Sequence, residues 1–134
     1  MYKLKVLLAD DHDSFRRILS SYLKAQRGIK IVGEAIDGRE VVEKVKHLHP
    51  DVVFMDVHMP GQNGIEATKI IKSYLPSTRV FILSMDTSEI CRKNASECAD
   101  GFIPKSSIKT ALLSVLSFEK QQHENKVDVK TVAA

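Results

Sequence analysis

Three stretches of this chain are unbroken apolar runs of only three or four residues: Val6-Leu7-Leu8, Val52-Val53-Phe54-Met55 and Val80-Phe81-Ile82-Leu83. A strand wetted on one face alternates apolar and polar residues. A short run with no polar member fits a strand buried on both faces, as in the centre of a parallel sheet. Extended to their polar borders, and joined by two weaker runs, they predict five strands at Leu4–Ala9, Ile29–Ala35, Val52–Met55, Val80–Leu83 and Gly101–Ile103.

The segments between them carry helical period. Phe15, Ile18, Leu19, Tyr22 and Leu23 fall at i, i+3, i+4, i+7 and i+8, the spacing of one helix face, and Gly28 follows as a stop. Asp37 and Glu40 have the spacing of a capping box ahead of Val41, Val42, Val45 and Leu48, which run to Pro50. Ala67, Ile70, Ile71 and Leu75 form the next face before Pro76. Thr87 is expected to cap a weaker helix through Ile90, Cys91 and Ala95. Ser106 or Ser107 is expected to cap the last, with Ile108, Ala111, Leu112, Val115 and Leu116 in phase. Strands alternating with helices imply an α/β fold, a doubly wound parallel sheet with helices on both faces and right-handed crossovers. From Glu119 onward the chain turns polar (EKQQHENKVDVK), as an extension of the last helix or the start of a tail.

Composition narrows the function classes. A chain of 134 residues fits one domain, and 43% hydrophobic against 28% charged residues is a globular balance that needs no disulfide staples. The net charge of +3, from 20 basic and 17 acidic residues, is too small and too scattered for a nucleic-acid surface. Cys91 and Cys98 match no metal-ligand spacing, and on a helix they sit two turns apart, too far to bridge. No apolar run has the length of a membrane span, and MYKLKVLL leads straight into the first strand, so no membrane association and a cytoplasmic location are expected.

Ligands of open parallel sheets bind beyond the carboxyl ends of the strands. Asp10 and Asp11 follow the first strand, Asp56 the third and Ser84 the fourth, and Lys105 stands two residues after the fifth. Each has an ordinary structural use: a helix cap for the aspartates or the serine, a turn for Asp56, a solvated surface for the lysine. Their convergence from four strand ends has no joint structural explanation. Three carboxylates in one small site resist common ionisation unless a cation sits among them. All-oxygen ligands favour a hard ion, Mg²⁺ above all. Such a metal can neutralise a phosphoryl group in transfer, and a carboxylate nucleophile then yields an acyl phosphate. Lys105 and the Ser84 hydroxyl are placed to bind phosphoryl oxygens. The histidines His12, His47, His49, His58 and His123 form no ligand cluster and are expected to be exposed or near helix caps. Phe102 is most simply a small core aromatic.

The runs LLADDH, PDVVFMDVHMPGQNGIEATKIIK, VFILS and ADGFIPKS resemble the response-regulator receiver domain of two-component systems, over about residues 4 to 117. In detail they are most similar to receivers that precede a C-terminal helix-turn-helix DNA-binding domain. The resemblance implies a flavodoxin-like sheet of order 2-1-3-4-5, a receiver over residues 1–118 and a polar C-terminal tail or helix extension over 119–134. It implies that Asp56 is the phosphoacceptor, Asp11 a direct metal ligand and Asp10 an acidic partner reaching the metal through water. It also implies that His58 offers its main-chain carbonyl, that Lys105 pairs with the phosphoryl group, and that Ser84 and Phe102 are the switch pair. Mg²⁺ is the implied cofactor, with Mn²⁺ able to substitute. A sensor histidine kinase or phosphotransfer protein is the implied donor, with a homodimer among the partners and no direct nucleic-acid binding by this chain. The protein would be a regulatory phosphoacceptor, not a turnover enzyme.

Three departures stand out. No helix-turn-helix follows in this sequence, which suits a single-domain regulator or one part of a longer protein. Ser106, not proline, follows Lys105, so the cis bond many receivers have there cannot form. Glu97-Cys98-Ala99 replaces the usual Ala-Gly-Ala setting, which would strain Cys98 if that position needed positive φ. Two rival chemistries fit less well. An Asp-nucleophile phosphatase of the haloacid-dehalogenase type wants a second acid two residues after the nucleophile, where this chain has His58. A flavin module wants a phosphate-cradling loop where Asp10 and Asp11 would repel an anion.

Overall fold

A computed structural model describes the backbone of residues 3–133 and the side chains of residues 3–125. The elements follow the alternation read from the sequence: β1 (Leu4–Ala9), α1 (Asp13–Lys24), β2 (Ile29–Ala35), α2 (Gly38–Leu48), β3 (Val52–Asp56), α3 (Gly64–Tyr74), β4 (Arg79–Ser84), α4 (Glu89–Cys98), β5 (Gly101–Pro104) and α5 (Ile108–Ala133), with a 3₁₀ turn at Lys105–Ser107. The five strands form one parallel sheet in the order β2-β1-β3-β4-β5. Four strand ends shift by a residue, the start of β4 among them. Asp56 and Ser84 are the last residues of β3 and β4, and Lys105 follows β5 directly.

Alternate residues of each strand feed two separate cores. Leu7, Ala9, Val53, Met55, Val80 and Ile82 pack under α2, α3 and α4 with Val41, Val45, Ala67, Ile71 and Ala95. Val6, Leu8, Val52, Phe54, Phe81 and Leu83 pack under α1 and α5 with Leu19, Leu23, Leu112 and Leu116. This is why the central runs contain no polar residue. β2, at the edge, is only half-buried apart from Ala35.

Helix starts follow local hydrogen-bond chemistry. Asp37 caps α2 by accepting from the Glu40 amide, while the Glu40 side chain pairs with Lys44 and leaves the capping box half made. Asn63 caps α3 through the Glu66 amide. Ser88, not Thr87, caps α4. Ser106 and Ser107 lie in the 3₁₀ turn, out of which α5 grows directly. His49 ends α2 at φ 47°, the one left-handed non-glycine among the described residues. Cys98 is the last helical residue of α4 and carries no positive φ, so the anticipated strain is absent. Both cysteines are free thiols. No helix among the described residues is long and apolar enough to cross a membrane.

The end of the sheet opposite the carboxyl ends is tied by charge. Asp100 accepts from Lys72 Nζ of α3 at 2.8 Å, from an Arg79 guanidinium nitrogen at 3.0 Å and from the Val80 amide at 2.8 Å. Arg79 Nε also donates to Glu119 at 3.0 Å, and Glu119 is only 5% exposed. Lys120 Nζ reaches the Arg27 carbonyl at 3.1 Å. The polar segment of α5 is therefore docked where it begins.

Candidate functional site

The carboxyl ends of β1, β3 and β5 bring Asp10, Asp11, Asp56 and Lys105 together. Asp10 is fully buried and Asp56 is 3% exposed, because Asp56 ends one central strand and Asp10 directly follows another. Lys105, 8% exposed, is held inward by the 3₁₀ turn. Its Nζ lies 2.7 Å from Asp10 Oδ2 and 3.3 Å from Asp56 Oδ1, and 4.3 Å from the centre of the Phe15 ring. Sequence reading missed Phe15 here, since its place on the helix stripe explained it fully. It missed Arg16 too, which braces the β1–α1 loop by donating to the Asp10 carbonyl at 2.8 Å and to Asp13 and Glu34.

The β3–α3 loop shapes the other wall. Gly64 packs so close to the end of β3 that an added Cβ would lie 2.2 Å from the Asp56 carbonyl oxygen, so only glycine fits. Thr68 Oγ1 donates to the Gly64 carbonyl at 2.6 Å and fixes this first turn. His58, two residues after Asp56, has an exposed side chain. Ser84 is fully buried one residue beyond Leu83, which pairs with Asp56 in the sheet register. Phe102 lies half-buried on β5, opposite Ile82.

One histidine does more than the sequence reading expected. His12 is exposed and stands at a helix cap, as anticipated, but it also turns its ring back over the loop toward the aspartates. Its Nδ1 lies 3.2 Å from both Asp10 Oδ1 and Asp11 Oδ1 and 4.0 Å from Asp56 Oδ2. It stands at the N-cap of α1 without making a side-chain cap bond, which frees the imidazole for the carboxylates. Exposed histidines carry no periodic signal, so nothing local marks this.

The electrostatics are those of crowded acids. Burial, and then the charge of Asp10, push the Asp56 carboxyl up from 3.8 to about 6, with Lys105 pulling the other way. Oxygens Asp56 Oδ2, Asp11 Oδ1 and Asp10 Oδ2 are closed off from solvent and accept no hydrogen bond. The 2.7 Å approach of Lys105 to Asp10 Oδ2 is thus an ion pair rather than a well-directed hydrogen bond. One ligand atom from each of Asp10, Asp11, His12 and Asp56 lies within 4.8 Å of every other. Buried oxygens that accept no hydrogen bond, crowded in so small a cluster, fit a metal ion, which would satisfy them and cancel their repulsion.

The model of the response regulator receiver domain matches residues 6–117. The chain belongs to that family. Its fold, a five-stranded parallel sheet of order 2-1-3-4-5, is the receiver fold, and the phosphatase reading finds no support. The transcriptional regulatory protein LnrK of Bacillus subtilis is 38% identical over 103 residues, covering 76% of this chain and 47% of that protein. A protein-glutamate methylesterase/protein-glutamine glutaminase of Methanococcus maripaludis is 44% identical over 115 residues, 84% of this chain and 31% of that protein. The solved signal receiver domain of NarL from Mycobacterium tuberculosis superposes with a TM-score of 0.83 at 33% identity, covering 90% of this chain and 98% of that one. The receiver chain spans about half or less of the length of these two curated relatives.

Proposed function

We propose that this receiver is switched by phosphorylation of Asp56. The reading rests chiefly on one observation: a nearly buried aspartate with an unpartnered oxygen stands within 3.3 Å of an inward-held lysine, in a cluster fit for a cation. The Asp56 carboxylate attacks the phosphorus of a phosphohistidine on a sensor histidine kinase or phosphotransfer protein. The phosphorus–nitrogen bond breaks, the imidazole takes up a proton, and an aspartyl phosphate remains. Asp11, Asp56 and the His58 main-chain carbonyl would hold Mg²⁺, with Asp10 reaching it through water. Mn²⁺ substitutes for it. The ion supplies charge neutralisation for the transferred group.

Lys105 exchanges its contact with the Asp56 carboxylate for one with a phosphoryl oxygen. Ser84 moves to donate to another, and Phe102 turns into the space it leaves. The phosphoryl group selects one of two pre-existing arrangements. We place the output at a change in partner binding or self-association, homodimerisation included, without direct contact to nucleic acid. The protein acts as a regulatory phosphoacceptor in the cytoplasm.

The test is incubation with acetyl phosphate and Mg²⁺, followed by intact-mass measurement and phosphate-affinity electrophoresis. One acid- and base-labile phosphoryl group is expected in the wild type and none in Asp56→Ala. Full labelling of Asp56→Ala would refute the assignment.

A further inference from the structure

The β4–α4 loop closes a ring of hydrogen bonds around Ser84. The Asp86 amide donates to Ser84 Oγ at 2.9 Å, the Ser88 amide to Asp86 Oδ1 at 2.9 Å, and the Cys91 amide to Ser88 Oγ at 3.3 Å. The buried Cys91 thiol completes the ring by facing Ser84 Oγ at 3.7 Å. Ser84 cannot move toward Asp56 without opening it. On the next residue of α4, the Arg92 guanidinium lies 4.9 Å from the centre of the Phe102 ring, and its Nε donates to the Thr87 carbonyl at 3.2 Å. Arg92 therefore spans the outside of the same loop and rests on the aromatic that has to turn. Two neighbouring residues of one helix touch both members of the switch pair.

We propose that Arg92 is a positioning residue that latches Phe102 in its half-buried place beside the hydrogen-bonded β4–α4 loop and so holds the receiver in its resting arrangement. The inference rests on the reading of Ser84 and Phe102 as the switch. The guanidinium attracts the ring face only while Phe102 keeps this place, and the contact is lost when the ring turns away. A contact made in one state alone biases the equilibrium by its full strength, and one made equally in both biases nothing. The latch thus lowers the apparent affinity for anything that selects the active arrangement.

The probe is beryllofluoride, titrated with saturating Mg²⁺ into the full chain and followed by ¹⁹F NMR and by the ring resonances of Phe102. Arg92→Ala is expected to tighten beryllofluoride binding by about two- to fivefold, the scale of an exposed cation–π contact. Arg92→Lys, which keeps a cation within reach of the ring, is expected to restore most of the wild-type affinity. In a Phe102→Leu background, Arg92→Ala is expected to change nothing, because the ring face is gone. Loss of a positive charge near an anion site would by itself weaken binding, so the sign separates the latch from bulk electrostatics. Unchanged or weaker binding in Arg92→Ala, with normal binding in the wild type, overturns the latch alone. A wild-type chain that does not bind beryllofluoride at all overturns the phosphoacceptor reading and the latch with it.

Discussion

Replacing Asp56 with asparagine removes a buried charge and keeps the shape of the side chain. Asp56 is 3% exposed, and its carboxyl is raised from 3.8 to about 6 by burial and by Asp10. A shift of that size, at about 1.4 kcal/mol per pKa unit, makes ionised Asp56 destabilising by about 3 kcal/mol. Because the folded pKa lies above the unfolded one, the protonated form favours folding. Its contribution is complete below about pH 4, declines as the pH rises through about 6, and is gone above it. Asparagine does not titrate. The pull of Lys105 is already contained in that shift, so a net stabilisation of about 3 kcal/mol is expected at pH 7.5 in chelator. Urea unfolding followed by circular dichroism, from pH 4 to 8, measures it directly. The two curves should converge toward pH 4, separate between about pH 4 and 6, and keep a constant gap above that. Saturating Mg²⁺ should raise the wild type and narrow the gap at pH 7.5, since a ligand of the folded state stabilises it. An Asp56→Asn protein no more stable than wild type at pH 7.5, or equally stabilised at pH 4, would refute the account of a strained carboxylate cluster.

Lys105→Met removes the cation that lowers the Asp56 pKa, so the carboxyl should titrate above about 6, read from its side-chain ¹³C shift against pH, and phosphorylation by acetyl phosphate should slow. Gly64→Ala drives a Cβ to 2.2 Å from the Asp56 carbonyl; forced backbone movement of this kind costs about 1–3 kcal/mol in urea unfolding, with weaker Mg²⁺ binding alongside.

Hydrophobic period encodes burial, and burial is what the sequence made legible. The unbroken runs at Val52–Met55 and Val80–Leu83 are buried on both faces by two separate cores, so strand identity, parallel pairing and helix placement could all be read before any coordinates. The gathering of Asp10, Asp11, Asp56 and Lys105 was legible because a parallel sheet sends all its carboxyl ends to one rim. Polar contacts between distant segments leave no such trace. The Arg79–Glu119 and Lys72–Asp100 pairs join residues 40 and 28 positions apart, and neither lysine nor arginine announces its partner by period. His12 was missed for a related reason: its ring direction depends on a loop backbone that no pattern describes. Thr87 and Ser88 are both acceptable caps by composition, and the structure places Ser88 at the cap, accepting from the Cys91 amide.

The charged knot at Asp100 gives α4 unequal ends. Its last turn runs straight into the residue that binds Lys72, Arg79 and the Val80 amide, while its first turn is fastened to Ser84 and Phe102 by contacts that any rearrangement of these two residues would undo. A rod pinned at one end tilts when the other is let go. Ten residues span about 15 Å, so a release of about 1 Å at the first turn swings the axis by about 4°. The exposed side chains of Met85 and Ile90 lie near the free end and would travel farthest, whereas those beside the pivot would hardly move. A binding partner could then gauge the state of the pocket by the inclination of a single helix, with the sheet beneath it unaltered.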